Sequence, residues 1–295
     1  MITRLLIGSI AHCIAILPEW CVAFLCQILG RFFFLFFRRR RRIILSNLAH
    51  TFPEKTETEC KIMARISCVR MVELGVLAIV LPYFSEKRIR RSFSLDSSVE
   101  EFFREREQND GPCIVLLPHF SQMEAMTVIP LLNGAAKGYE IGVIYRPFKN
   151  KGLEQWIHKT RERFGLKLLS RKNGFSQAKE ILRRRGIVVI LFDQNAGEAG
   201  ILSTFLGRVA STTFLPDLLF RHFHCPVYMF MPQRLGFFRG KCFCERLDLA
   251  VAGQDHPGEK DTAKKNDYCV THAMNTWLER KLLFDYDVCC DWLWA

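Results

Sequence analysis

The chain predicts an α/β fold, a mixed central sheet flanked by helices, with a membrane-anchor helix at its N-terminus. Three observations point there. Five short apolar runs, CIVLL (113–117), IGVIY (141–145), LKLL (166–169), IVVILF (187–192) and PVYMFM (226–231), alternate with helix-like segments. That is the rhythm of strands buried on both faces between helices. From Leu5 to Phe37 the only formal charges are Glu19 and Arg31. This segment closes with FFFLFF and then an unbroken run of arginines, Arg38 to Arg42.

Taken in order, residues 20–37 would span about 27 Å as a helix, close to a bilayer hydrocarbon core of about 30 Å. The whole apolar segment 5–37 is too long for one upright span, and Pro18 is expected to divide it. One tilted span and a span plus an interfacial helix both fit. No small-residue cleavage site precedes the arginines, so a retained anchor is expected rather than a removed leader. The positive-inside rule puts the arginines, and all that follows, on the cytoplasmic side. The same arginines attract anionic phospholipid headgroups. A basic nucleic-acid patch is the weaker reading, since such patches do not usually abut so apolar a run.

Beyond the anchor, 57–80 carries apolar residues at helical spacing, and 99–108 predicts a short charged helix. Asn109-Asp110-Gly111-Pro112 is a strong turn into the first long strand. A last strand is expected over 240–249 and a helix over 262–283, ending near Trp292 and Trp294. No repeat or low-complexity linker interrupts this order. The expected organisation is an anchor and polybasic junction over 1–42, then one catalytic domain over 43–295.

The net charge of +12 suits an anionic partner such as a membrane surface or a phosphorylated ligand. The 12 cysteines fall mainly in apolar stretches without C-x-x-C pairing, which suits reduced thiols in the cytoplasm. Cys242 and Cys244, at strand spacing, read as neighbours on one strand face rather than metal ligands. His222 and His224 lack the flanking cysteine or carboxylate spacing of a metal site. A Walker loop, a dinucleotide fingerprint, a serine elbow and an H-E-x-x-H motif are all absent from the sequence. No metal or nucleotide cofactor is therefore expected.

The stretch CIVLLPHFSQMEAM (113–126) carries the chemistry. It sets His119 and Glu124 where a buried strand gives way to a helix, at the strand's carboxyl end, where open α/β sheets bind ligands. Residues five apart lie about 140° apart around a helix, so the two cannot share a helical face. With His119 in the preceding loop, its ring can fold back toward Glu124, a carboxylate that would orient a general base. Taken alone, such a pair reads more readily as structural. With no protein nucleophile in sight, a substrate hydroxyl is the simplest attacker, and acyl transfer to it the simplest reaction.

Further segments extend the motif: NLAHTFPE (47–54), Tyr-Arg-Pro (145–147), Arg-x-Arg-Phe-Gly (161–165), Arg171, Asp-Gln (193–194), GILSTFLGRVAST (200–212) and CPV (225–227). In this order, over 38–294, the chain resembles the lipid A biosynthesis late acyltransferases, lauroyl and myristoyl transferases of the bacterial inner membrane. These belong to the His-x4-Glu glycerolipid-acyltransferase-like superfamily. The chain departs from their pattern at Pro118, where a small or polar residue is common, and at Leu215, where a glycine is expected. The resemblance implies a glycerolipid-acyltransferase-like fold, with His119 as general base and Glu124 as its orienting partner. Arg163 matches the family's active-site arginine and, with Arg171, would meet the oxyanion or substrate phosphates. Asp193 would hold an arginine or cap a helix, and Arg146, Gln194, Gly207 and Arg208 would bind substrate. The implied donor is acyl carrier protein and the implied acceptor a Kdo-lipid A precursor, at the cytoplasmic face of the inner membrane. Two alternatives stand beside this. One is a lysophospholipid or other glycolipid acyltransferase, whose usual mark is Asn-His-x4-Asp. The other is an inactive lipid-binding membrane protein, against which His119 and Glu124 argue.

Overall fold

A computed structural model of the chain describes residues 2–170, 173–249 and 268–292. Helix α1 (Ile2–Ile16) and α2 (Glu19–Phe36) are divided at Pro18, as the sequence predicts. Proline suits this place because its fixed φ and missing N–H fit a helix start and not a helix interior. Among the described residues, α2 is the one helix long and apolar enough to cross a membrane. One stripe, Val22, Cys26, Gly30 and Phe34, is buried. Phe24, Ile28, Leu29, Phe32 and Leu35 remain exposed around it. The buried stripe packs on α4 (Glu57–Val80), and only glycine fits at 30, since a Cβ there would lie 2.6 Å from Val69 Cα. Arg88 ties the joint between α1 and α2 by donating to the Ala15 carbonyl at 2.7 Å and pairing with Glu19.

The arginine run opens α3 (Arg38–Thr51), a helix the sequence reading did not foresee. Its charged half offers no apolar periodicity, and its burial rests on Ile44 and Leu48. Helix α4 begins with a reciprocal capping box between Thr56 and Glu59. Then follow α5 (Glu86–Ser92), β1 (Phe93–Leu95) and α6 (Ser97–Asn109). The predicted strands appear as β2 (Cys113–Leu117), β3 (Ile141–Tyr145), β4 (Leu166–Ser170) and β5 (Ile187–Leu191). A 3₁₀ turn (Met123–Val128) and α7 (Ile129–Leu132) follow β2. Helices α8 (Lys151–Glu162) and α9 (Gly174–Arg183) make the next two crossovers. A hairpin of β6 (Ile201–Phe205) and β7 (Arg208–Thr212) comes next, then α10 (Leu215–Phe223), β8 (Val227–Gly236) and β9 (Arg239–Arg246). The chain closes with α11 (Cys269–Phe284) and α12 (Tyr286–Asp291). The expected helix start at 262 and Trp294 lie outside the described residues.

The sheet is mixed and runs β1-β9-β8-β2-β5-β3-β4. Strands β8, β2, β5, β3 and β4 are mutually parallel, and β9 runs antiparallel to β8. Side-chain alternation sorts the core by face. Ile114, Leu116, Val188, Ile190 and Met229 point toward α9 and α11. Val115, Leu117, Ile187, Tyr228 and Phe230 point toward α6. The pairing of β2 with β5 positions the site, because its register, Cys113 with Ile187 through Leu117 with Leu191, carries a constant offset into the loops beyond.

Candidate active site

Two residues past the ends of β2 and β5, that offset brings His119 opposite Asp193. His119 Nδ1 lies 2.5 Å from Asp193 Oδ1, and the His119 backbone N–H donates to Oδ2 at 2.8 Å. Trp292 Nε1 donates to the same Oδ2 at 2.7 Å. The carboxylate is 2 % exposed and the imidazole 14 %. Burial pushes the Asp193 carboxyl up, but the His119 ring and these N–H donors outweigh it and hold the group below the usual carboxylate range. An ionised Asp193 requires the proton on Nδ1, which leaves Nε2 as the basic nitrogen. Nε2 faces Gln194, whose amide nitrogen lies 3.1 Å away.

This corrects the carboxylate expected beside the histidine. Glu124 sits in the 3₁₀ turn, is buried, and pairs with Arg161 on the last turn of α8. The contact to Nδ1 comes instead from Asp193, whose described partners are His119 and Trp292 rather than an arginine or a helix end. Arg163, two residues past Arg161, caps α8 and turns away to donate to the Pro82 carbonyl. Of these two, Arg161 is the one at the cavity.

The loop between His119 and Glu124 is held from below. Gln122 Nε2 donates to Glu73 Oε1 at 3.0 Å, and Glu73, almost fully buried on α4, also accepts from Arg234, Arg70 and the Phe238 N–H. From the other side, Ser121 N donates to the Asp291 carbonyl at 3.0 Å, and Phe120 bridges Trp292 as an isolated antiparallel pair. Sequence reasoning missed Arg161, Trp292 and Glu73. A carboxylate inside the apolar pattern of residues 57–80 was the one visible signal for Glu73.

His119 opens onto a cavity of about 690 Å³ on the α6 side of the sheet, within the 300–1,000 Å³ typical of ligand sites. Its depth is apolar: Phe102 and Phe103 from α6, Val115 and Leu117 from β2, Ile187 and Val189 from β5. Its mouth carries His119, Glu124, Arg161, Arg146 and Gln194. One side of α4, through Met71, Leu74, Gly75 and Ala78, forms a wall, while Val69, Leu77 and Val80 of the same helix pack toward the anchor region. Gly207 and Arg208 are not among the cavity's lining residues. Leu206 and Gly207, both at positive φ, the geometry that matches hairpin twist, form the turn of the β6–β7 hairpin, and Arg208 opens β7. Arg171 lies outside the described residues.

Chemically, the arrangement pairs a carboxylate-held imidazole with a largely apolar cavity that also carries Arg146 and Arg161. It can take a proton from a hydroxyl while an acyl chain lies buried. A family model described as bacterial lipid A biosynthesis acyltransferase matches residues 2–283 of the chain. No curated protein matches it.

Proposed function

We propose that this chain, which belongs to the bacterial lipid A biosynthesis acyltransferase family, transfers a fatty acyl chain from acyl carrier protein to a hydroxyl of a Kdo-lipid A precursor. The observation that carries this reading is the part-buried His119–Asp193 pair at the mouth of an apolar cavity.

In this mechanism the acceptor hydroxyl takes the place beside His119 Nε2 that Gln194 faces. Nε2 removes its proton as the oxygen attacks the thioester carbonyl carbon. Asp193 keeps the ring in the Nδ1–H tautomer and stabilises the imidazolium that forms. The tetrahedral intermediate carries an oxyanion, for which the Gln194 amide and the Arg161 guanidinium are the donors at the mouth. As the carbon–sulfur bond breaks, the imidazolium returns its proton to the departing thiolate, and the ester remains on the acceptor. Glu124 acts through Arg161: it fixes the guanidinium at the cavity edge and balances its charge. Arg146, exposed at the mouth, is assigned to acceptor phosphate.

The acyl chain lies between α6 and the sheet, against Phe102, Phe103 and Val189. A +12 chain suits both an acidic carrier protein and a phosphorylated lipid. With α2 as the anchor and the arginines at its cytoplasmic end, the reaction belongs at the cytoplasmic face of the bacterial inner membrane.

The test is acyl transfer from labelled acyl carrier protein to tetra-acylated Kdo-lipid A in detergent. Wild type should form product, and His119→Ala should lower the rate on the order of 10²-fold or more. Glu124→Gln should lower it less, because it loosens Arg161 and leaves the base intact. Acylation of a lysophospholipid in place of lipid A would move the assignment to another acceptor. No turnover on any acceptor would leave a lipid-binding protein.

A further inference from the structure

The C-terminal segment makes a contact that the reaction above does not account for. Asp193 Oδ2 accepts two hydrogen bonds, one from the His119 backbone and one from the Trp292 indole. Trp292 is itself fixed on several sides. Its backbone N–H donates to the Val288 carbonyl, and its carbonyl accepts from Ser67 Oγ at 3.2 Å on α4. Its ring meets Phe205 of β6 edge-on at 5.7 Å. The preceding residue, Asp291, pairs with Arg70, and its carbonyl takes the Ser121 N–H. Residues 291–292 therefore grip both the loop that carries His119 and the carboxylate that orients it.

We infer that Trp292 is a positioning residue for the acyl-transfer reaction, acting through Asp193 by means of its indole N–H. The inference rests on the function proposed above. A phenylalanine would occupy much the same apolar space against Phe205, so packing alone does not call for an indole; the N–H is what a phenylalanine lacks. The indole holds Asp193 Oδ2, which leaves Oδ1 facing His119 Nδ1. It also withdraws part of the carboxylate's charge from the imidazolium, so it sets how firmly the ring keeps its proton.

The experiment compares wild type, Trp292→Phe, Asp193→Asn and the double variant. Each is assayed for kcat, KM and the pH dependence of kcat, and the His119 imidazole is titrated by ¹⁵N NMR in detergent without substrate. Trp292→Phe should lower kcat about tenfold, the equivalent of one hydrogen bond to a charged group, with the KM for acyl donor unchanged. The acid limb of the profile and the imidazole titration should both move to higher pH, because Asp193 with one donor fewer holds the imidazolium more tightly. In the Asp193→Asn background, Trp292→Phe should add little, since the two act as one unit. Phe205→Leu, which disturbs the ring packing only, should lower the Tm and leave the profile in place.

Losses that multiply in the double variant, or an unmoved imidazole titration, would overturn the inference. If Trp292→Phe does not fold, benzothienylalanine at 292, which keeps the bicyclic ring and puts sulfur in place of the N–H, gives the same two readings. The NMR titration needs no turnover. A failed acyl-transfer assay with a shifted imidazole would therefore count against the proposed reaction and not against the role of Trp292.

Discussion

The two faces of the sheet are built from the same residue types and end up doing different things. On one face, Leu116, Val188, Ile190 and Met229 are covered by α9, α11 and neighbouring helices, with Met274, Leu278 and Leu282 of α11 almost fully buried against them. On the other, Val115, Leu117, Ile187 and Phe230 are buried as well, yet a cavity of about 690 Å³ remains beside them under α6. Close-packed interiors leave few voids larger than a water molecule, and each forfeits dispersion contacts. A space of this size, lined mainly from the α6 face and reaching His119, is large enough for a ligand. On the function proposed above, the packed face would carry stability and the hollow face selectivity.

The largest expected effect lies where both faces end. Asp193→Asn should reduce acyl transfer by about 10²–10⁴-fold with little change in substrate KM, because the ring loses its tautomer and its counter-charge. Steady-state rates across substrate concentration check this, and a variant within a fewfold of wild type would break the assignment of the dyad.

Next comes the packed face. Met274→Ala should cost about 2–5 kcal/mol of stability and leave the activity per folded molecule near that of wild type, as read by thermal unfolding and by active-fraction assays. An intact Tm would show that this face is looser than it looks.

The hollow face predicts the reverse. Val189→Phe, which pushes a ring into the cavity, should leave the Tm almost in place. It should shift kcat/KM toward shorter acyl donors by about tenfold, the scale on which methylene contacts in a pocket discriminate. Equal losses for all chain lengths would mean that the donor chain lies elsewhere.

The smallest effect sharpens the contrast from beneath the loop. Burial pushes the Asp291 carboxyl up to about 6, with Arg70 and Arg234 opposing and Glu73 adding to the rise. The folded state then binds a proton that the unfolded state, near its ordinary value of about 3.9, has already released. Stability from this group should therefore fall as pH rises between about 4 and 6. Asp291→Asn should flatten that slope in denaturant titrations taken at several pH values. Asp193, held below the ordinary range, works with the opposite sign: its contribution is complete above about 3.9 and is lost as pH falls through its lower folded value.

Much of this contrast could be read in advance. The apolar runs located β2 to β5 and β8 because residues buried on both faces leave uninterrupted hydrophobic stretches. Strands β6 and β7 escaped because Leu202 and Val209 are exposed and their neighbours polar, so no run marks them. His119 was legible from its place after a buried strand. Its partner was not: Asp193 lies 74 residues along the chain, and only the adjacency of β2 and β5, with β3 and β4 displaced outward, brings the two loops together. Proximity in sequence favoured Glu124, which the structure gives to Arg161. The choice between Arg161 and Arg163 turned on where α8 ends, a boundary that patterns locate only to within a few residues. Nothing in the sequence signalled that Trp292 would reach Asp193, because a contact made by a chain end across the fold leaves no local pattern.

Helix α4 touches both the anchor and the cavity. Its 24 residues form a rod of about 36 Å, closely packed against α2 at Gly30 and facing the cavity through Gly75 and Ala78. On the function proposed above, with α2 seated in a bilayer, the rod would work as a depth gauge, setting how far the imidazole stands from the plane of the lipids. An acceptor floating at its own natural depth would then offer only the hydroxyl lying at that height, so the choice of which oxygen to acylate becomes a matter of altitude as well as of chemistry.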